Sequence, residues 1–244
     1  VMQGLVRLGA RGAGLAPEVT LAHSIHPFTL LQVLLADLYG DLARPAEHWW
    51  GVHFFPRGFP YFVSLYLGAT VIALAWTGLR HGTTPRRRLA LLALVGTIVC
   101  LGRFAGLQPL VEAFPLLGAV RYPSKAFLSV HLALALLAAL GWDAGFGACR
   151  RAGRSLALAA CSLGGTLVLL PLLLPVLLPG PLRWFVGAFF PTGMSLPARQ
   201  AALELMGRAA ATGGALALLT GGLALATSFG RLRGEIARLA VVGL

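Results

Sequence analysis

Three cations near the ends of apolar segments have the types and spacing to bind a phosphate: Arg103, Arg121 and Lys125. Arg121 and Lys125 are four residues apart, directly before a segment that we expect to be helical. A helix N-terminus favours an anion, arginine can grip a phosphate through two parallel hydrogen bonds, and lysine adds a point charge. The spacing therefore fits a phosphate-binding site. The alternative is that these cations are anchors that reach lipid headgroups.

Two carboxylates, Asp37 and Asp41, would share one face if their segment were helical. Such a carboxylate could deprotonate an acceptor hydroxyl, and the pair could hold a divalent cation through oxygen ligands. We therefore take both residues as candidate catalytic groups. The same stretch also fits the end of a helix followed by a capping turn, so both interpretations are open at this stage.

Aromatic and imidazole side chains accompany these charges. The Trp49-Trp50 pair and Tyr122 are predicted to mark the membrane interface or to stack on a sugar. His23 and His26 have the spacing of a metal pair, but two ligands do not form a site. The sequence therefore predicts no metal centre, and no cofactor is required by the pattern; a divalent cation is the one alternative.

The elements that must position these residues are long apolar segments. A bilayer core about 30 Å thick needs about 20 apolar residues at about 1.5 Å each. The chain is 57% hydrophobic and 11% charged, whereas a soluble domain is about 25% charged. The sequence predicts an all-α, polytopic integral membrane helix bundle with five transmembrane helices, and Ile236–Leu244 is predicted to open a truncated sixth. The five predicted spans are Phe62–Leu79, Leu89–Gly106, Ala126–Trp142, Ser155–Leu178 and Ala209–Phe229.

The formal charge of +12 would indicate a nucleic-acid partner in a soluble protein, but here the cations lie mainly at the ends of spans. Arginine is dense in three short loops, and these alternate with two loops of weaker charge. The positive-inside rule then places the arginine-dense loops in the cytoplasm. Membrane lipids are the expected partners, and no nucleic acid is expected. The arginine-dense loops are Arg80–Arg88, Asp143–Arg154 and Gly230–Arg238.

The chain divides into two predicted parts. Residues 1–61 form an extracytoplasmic segment, and residues 62–244 form the transmembrane bundle. Within the first part, Phe28–Leu38 is apolar but too short to cross, so we predict an interfacial or re-entrant helix there. The start lacks the continuous apolar core of a signal peptide. Together with the apolar end, this indicates a fragment of a larger protein.

Several short motifs, taken in order, resemble those of large bacterial YfhO-type membrane proteins. In that family a W-S-x-H-P pattern precedes a leucine-rich helix and P-x-x-F-G-D, and R-Y-P-x-K-F precedes a helix ending in L-G-W/L-D. This sequence departs from the pattern at two places: Ala22-His23 stands where the family often has Trp before Ser, and Ala36-Asp37 replaces the usual Pro before Leu38-Tyr-Gly. The matching stretches are His23-Ser-Ile-His-Pro27, Leu38-Tyr-Gly-Asp41, Pro60-Tyr-Phe-Val-Ser-Leu-Tyr-Leu-Gly68, Leu101-Gly-Arg103, Val120-Arg-Tyr-Pro-Ser-Lys-Ala-Phe127 and Leu140-Gly-Trp-Asp143.

The resemblance implies part of a GT-C-like glycosyltransferase in the bacterial cytoplasmic (inner) membrane. Such an enzyme uses a polyprenyl-phosphate-linked sugar as donor at the outer face. It further implies that the catalytic carboxylate lies outside this fragment, and that the three cations steady the departing phosphate. The alternative interpretation is a transporter or flippase, or a non-catalytic scaffold, for envelope precursors.

Overall fold

The computed structural model describes residues 16–40, 49–55, 58–62, 64–114, 122–147, 149–230 and 234–243. Their regular structure is entirely helical, which confirms the predicted all-α class. The α-helices in these ranges are α1 (Pro17–Thr20), α2 (Ala69–His81), α3 (Arg86–Leu101), α4 (Gln108–Ala113), α5 (Phe127–Gly145), α6 (Arg150–Leu177), α7 (Pro179–Phe189), α8 (Leu196–Ser228) and α9 (Gly234–Val242). Short 3₁₀ helices lie at Pro27–Val33, Gly51–Phe54, Gly102–Ala105 and Pro123–Ala126.

Among the described residues, four helical stretches are long and apolar enough to cross a membrane. They contain α3, α5, α6 and α8, and they correspond to the second to fifth predicted spans. Many of their leucines are exposed, as lipid-facing side chains should be; Leu158, for example, is 71% exposed. The chain is thus an integral membrane helix bundle. The four stretches are Arg86–Ala105, Pro123–Gly145, Arg150–Leu177 and Leu196–Ser228.

The first predicted span, Phe62–Leu79, is wrong at its start, because the helix begins only at Ala69. With 13 residues, α2 is about 20 Å long, which is less than the bilayer core. Residues 64–68 have no helical structure, and Gly68 has a φ of 91°. That left-handed angle suits glycine and sets the direction in which α2 leaves the preceding chain.

Backbone groups of residues 64–68 find their partners in two other segments of the chain. The N–H groups of Leu67 and Gly68 both donate to the carbonyl of Val33, at 3.0 and 2.9 Å. On the other side, Nε2 of His131 lies 3.1 Å from the carbonyl oxygen of Leu65 and donates to it. Irregular backbone is tolerated at membrane depth where protein satisfies it.

The predicted helix at 28–38 is a 3₁₀ helix, Pro27–Val33, followed by turns. Leu34 and Leu35 pack against Ala69, Leu167 and Ala217, which belong to α2, α6 and α8. Of the two interpretations left open, packing among three helices favours the re-entrant one. The described part of residues 1–61 therefore shares its apolar contacts with the bundle.

Small residues bring the helices into backbone contact. A Cβ atom on Gly78 of α2 would collide with the carbonyl of Leu137, and one on Gly141 of α5 would collide with the carbonyl of Leu74. In α6 and α8, a Cβ on Gly164 would come within 2.6 Å of the oxygen of Gly214. Close approach of this kind drives helix association in lipid.

The three arginine-dense loops lie at one end of the bundle, which we call the Arg-rich end. Arg238 and Asp143 form an ion pair of 3.8 Å between α9 and α5. The guanidinium of Arg154 lies 5.6 Å from the ring centroid of Phe229, at the end of α8. Helix α9 occupies most of the predicted sixth segment and packs at this end through the buried Ala237.

Candidate functional site

The opposite end of the bundle, which we call the site end, is where α3 finishes and α5 starts. Residues 23–25 join the two helices. Ser24 Oγ accepts a hydrogen bond from the N–H of Arg103 at 3.0 Å, and the N–H of Ser124 donates to the carbonyl of His23 at 3.3 Å. A side chain at Gly102, where φ is 46°, would collide with Ser24 Oγ, so only glycine fits this junction. These bonds bring Arg103 to the same place as the start of α5.

Two of the three predicted phosphate-binding cations are therefore neighbours of one segment. Arg103 is exposed, and its guanidinium lies 4.7 Å from the ring centroid of Phe104. Lys125 is also exposed, with Nζ 5.3 Å from the ring centroid of Tyr122 and 5.9 Å from that of Tyr61. These are cation–π distances, which orient a cation without neutralising it. Within the described ranges neither cation forms an ion pair with a carboxylate, so both charges are available to an anion. Arg121 lies outside the described residues.

The Tyr122 ring belongs to a small group of rings beside Lys125. Its centroid lies 4.6 Å from that of His23 and 4.9 Å from that of Tyr61. Tyr122 itself is half-buried and has a φ of 66°. This backbone angle is strained for a residue with a side chain, and the hydrogen bond from its N–H to the carbonyl of Thr20 helps to hold it. Tyr122 thus lies beside Lys125 in the structure, and its role at the interface or on a sugar stays a prediction.

His26 links the cation Arg103 to the aromatic side chains of the site end. Its Nδ1 accepts a hydrogen bond from the N–H of Phe28 at 3.2 Å and so caps the 3₁₀ helix. Burial, with a further contribution from the charge of Arg103, lowers the pKa of His26 below its usual 6.5. The ring is therefore neutral at pH 7 with its proton on Nε2, which makes it a hydrogen-bond donor rather than a base.

A cavity of about 30 Å³ lies at the site end. Its lining includes His23, His26, Thr29 and Ser124. Ser124 is only 4% exposed, and its Oγ has no hydrogen-bond partner among the described residues. A buried polar group next to such a volume suits an ordered water, since about 10–15 Å³ is enough to hold one.

Asp37, the described member of the predicted carboxylate pair, is not on a helix. Asp37 lies in a turn, is exposed and has a φ of 49°; the N–H of Gly40 donates to its carbonyl at 2.9 Å. Asp41 lies outside the described residues. The geometry at Asp37 fits the capping-turn interpretation, because the turn ends the 3₁₀ helix instead of continuing it. The described residues contain no group of three His, Cys, Asp or Glu side chains that could hold a metal ion.

The two tryptophans predicted to mark the membrane interface or to stack on a sugar, Trp49 and Trp50, are buried side chains. They are 8% and 1% exposed. Trp50 stacks on Phe190 with 4.7 Å between ring centroids and 2° between ring planes, and its Nε1 donates to the carbonyl of Leu38 at 3.0 Å. With no open face, neither ring can stack on a ligand. Together they form the core of what we call the aromatic cluster: Leu38, Tyr39, Trp49, Trp50, Phe54, Phe190 and Ala202.

A second feature of this half of the bundle escaped the sequence-based prediction. An open apolar cavity of about 490 Å³ runs between α6, α7 and α8, and Arg199 lies one helical turn before one of its walls. The signal for this arrangement is Ser195 followed by Leu196-Pro197, an N-cap with proline in the first turn. It starts α8 well before the predicted span, and Ser195 Oγ does accept a bond from the N–H of Ala198 at 3.4 Å.

Comparisons with protein-family models, curated proteins and solved structures find no match to this chain. The resemblance of its motifs to YfhO-type membrane proteins therefore stays a prediction. Function has to be inferred from the geometry of the site end.

Proposed function

We propose that this integral membrane protein binds a polyprenyl-phosphate-linked sugar at its site end, as part of a GT-C-like glycosyltransferase. The observation that carries the proposal is the placement of Arg103 and Lys125 beside one segment. Both are exposed and lack a carboxylate partner in the described ranges, and residues 23–25 bond to the backbone of Arg103 and of Ser124, the neighbour of Lys125. A lipid phosphate at the membrane surface is the anion that such a position can reach.

The proposed orientation follows from the loops. The positive-inside rule puts the Arg-rich end in the cytoplasm, so the site end faces outward from a bacterial cytoplasmic membrane. This is the face on which polyprenyl-phosphate-linked sugars are consumed by enzymes of the class that the motifs resemble. The proposal concerns donor binding at that face.

In the proposed reaction an acceptor hydroxyl attacks the anomeric carbon of the sugar, the bond from that carbon to the phosphate oxygen breaks, and polyprenyl phosphate leaves. Negative charge grows on the departing phosphate, and fixed cations stabilise that charge most in the transition state. Arg103 and Lys125 take this role, with Arg121 as the predicted third cation. A carboxylate outside this chain accepts the proton of the hydroxyl.

The test is a titration of the purified chain, in lipid nanodiscs, with polyprenyl phosphate. The double variant Arg103→Ala/Lys125→Ala should bind about tenfold or more weakly, since each cation next to an anionic headgroup contributes about 1 kcal/mol. Arg208→Ala is the matched control, because Arg208 is exposed and ion-paired with Glu204 at 3.7 Å. Equal affinity of the double variant and the wild type would contradict the proposed binding of the phosphate by Arg103 and Lys125.

A transporter or flippase is the second candidate, and one observation favours it. Residues 64–68 are non-helical and meet the 3₁₀ helix Pro27–Val33 beside the start of α2. Interrupted helices of this kind form the substrate sites of many transporters. An assay with reconstituted vesicles that contain a fluorescent polyprenyl phosphate distinguishes the transporter from the enzyme. Movement of the labelled lipid between leaflets supports the transporter. Sugar transfer without such movement, measured with the parent protein, supports the enzyme.

A further inference from the structure

The cavity between α6, α7 and α8 is an apolar groove at the lipid-facing surface. It runs along the last turns of α6, beneath the short helix α7 and against the outer part of α8. Its lining side chains are hydrophobic, and Trp184 is 68% exposed. With a volume of about 490 Å³ it is large enough for a hydrocarbon chain. Representative lining residues are Pro171 and Pro175 of α6, Trp184 and Phe185 of α7, and Leu203 and Met206 of α8.

A cation shares a helix face with two lining residues of this groove. Arg199 precedes Leu203 by four residues and Met206 by seven on α8, so all three share one helix face. Arg199 is half-buried, and its guanidinium donates to the carbonyls of Met194 and Pro191 at 3.1 and 3.3 Å. These two bonds tie the guanidinium to the loop before α8, one helical turn before the wall at Leu203.

The surroundings of the groove are positively charged. Residues 179–208 contain Arg183, Arg199 and Arg208, but their one carboxylate, Glu204, is paired with Arg208. Arg208 and Glu204 lie on the other side of α8 from Leu203 and Met206, by their helical spacing. The face of α8 that lines the groove therefore carries the positive charge of Arg199, whereas Glu204 lies on the other face. This combination complements a molecule with an apolar chain and an anionic head.

Helix α6 leaves backbone acceptors on the groove side. Pro175 has no N–H, so the carbonyl of Pro171 lacks its usual donor within the helix. A carbonyl left open beside lipid is costly unless a polar group reaches it. The hydroxyl groups of a glycerol headgroup are suitable donors for such an acceptor.

We propose that this groove is a binding site for an anionic phospholipid, with one acyl chain between α6, α7 and α8 and the phosphate on Arg199. The site is separate from the proposed donor site, because it uses different cations and different helices. Its occupant is a resident lipid of the membrane that fastens α7 and the outer part of α8 to α6. The chemistry of recognition is a phosphate diester with net negative charge joined to a fatty acyl chain.

The experiment is native mass spectrometry of the purified, delipidated chain with added phosphatidylglycerol or phosphatidylcholine. The wild type should retain phosphatidylglycerol about fivefold better, which is the factor expected from one cation next to an anionic headgroup. Arg199→Gln removes the charge but keeps an N–H donor for the loop carbonyls, so it should abolish the preference. Arg208→Gln, on the other helix face, should leave the preference unchanged.

A second variant tests the apolar part of the site. Leu203→Trp fills the groove and should lower retention of both lipids. If Leu203→Trp lowers the melting temperature, Met206→Trp is used as the test variant in its place. Arg103→Ala/Lys125→Ala should keep the wild-type preference, so a failure of the proposed donor site would not affect this result. The proposal is overturned if Arg199→Gln retains the preference. It is also overturned if polyprenyl phosphate displaces phosphatidylglycerol completely from the wild type, since the groove would then belong to a different lipid.

Discussion

Near the Arg-rich end the helices touch backbone to backbone, whereas at the site end the packing is made by aromatic rings. Gly78 and Gly141 bring α2 and α5 together with no side chain between them, and Gly221 brings α8 onto Cys161 of α6. At the site end, Trp50 lies between Phe190 and other rings with its face fully covered. The same bundle thus uses two kinds of packing at its two ends.

The difference follows from the solvent at each depth. Between helices surrounded by lipid tails, burying an apolar side chain gains little, so association depends on close van der Waals contact between small residues. At the membrane surface water is present, and burial of large rings is favoured by the hydrophobic effect. Irregular segments such as 49–55 can therefore be held firmly at the site end, where no regular helix pairing is available.

Removing the central ring should have the largest effect on stability. Trp50→Ala deletes a side chain that is 1% exposed and should destabilise the protein by about 3–5 kcal/mol. It also leaves the carbonyl of Leu38 without its Nε1 donor. Trp184→Ala is the matched control, because that ring is 68% exposed and its loss should cost about 0.5 kcal/mol or less. Thermal unfolding in detergent measures both, and similar melting temperatures would contradict the buried cluster.

Adding one methyl group at the Arg-rich half should have the next largest effect. In Gly141→Ala the new Cβ meets the carbonyl of Leu74, and the helices must move apart at a cost of about 1–3 kcal/mol. Gly222→Ala is the control, since a Cβ there meets no atom within 4 Å and alanine favours a helix. If both variants unfold at the same temperature, backbone contact between α2 and α5 is not what holds this end together.

The smallest predicted effect is a dependence of stability on pH at the site end. The folded state lowers the pKa of His26 from its usual 6.5, so below that pH the unfolded chain binds the proton more readily. The contribution of His26 to the free energy of unfolding is therefore fully present above about pH 6.5, and it is lost as the pH falls towards the lowered pKa. His26→Asn keeps an N-cap acceptor without titrating. Its melting temperature should fall less than that of the wild type between about pH 7.5 and pH 5; parallel curves would contradict the assignment.

Hydrophobic length was a sound guide to the spans in α3, α5, α6 and α8. It works because a helix in lipid must satisfy its own backbone, whatever its neighbours do. The same reasoning failed for residues 64–68, where Val33 and His131 bond to backbone groups of Leu65, Leu67 and Gly68. Those partners are distant in sequence, and no local pattern encodes them.

The candidate site was predictable in part. The positions of Arg103 and Lys125 near the ends of spans follow from the apolar pattern, and the structure brings both cations to one segment. Trp49 and Trp50 could not be placed, because a ring beside an apolar run has the same local sequence whether it is buried or interfacial. The sequence-based prediction puts Arg199 in a loop of weak charge and gives it no role. Its four-residue spacing from Leu203 is informative only when α8 begins at Leu196.

The contact between His131 and Leu65 implies an order of events during synthesis and membrane insertion of this protein. The two residues are separated by 66 positions, so the ribosome delivers the acceptor long before the donor. Until α5 has entered the membrane, the carbonyl of Leu65 must find water or a provisional partner. Segment 64–81 therefore reaches its final conformation only after α5 has entered the membrane. This apolar segment is completed out of the order in which the chain is synthesised.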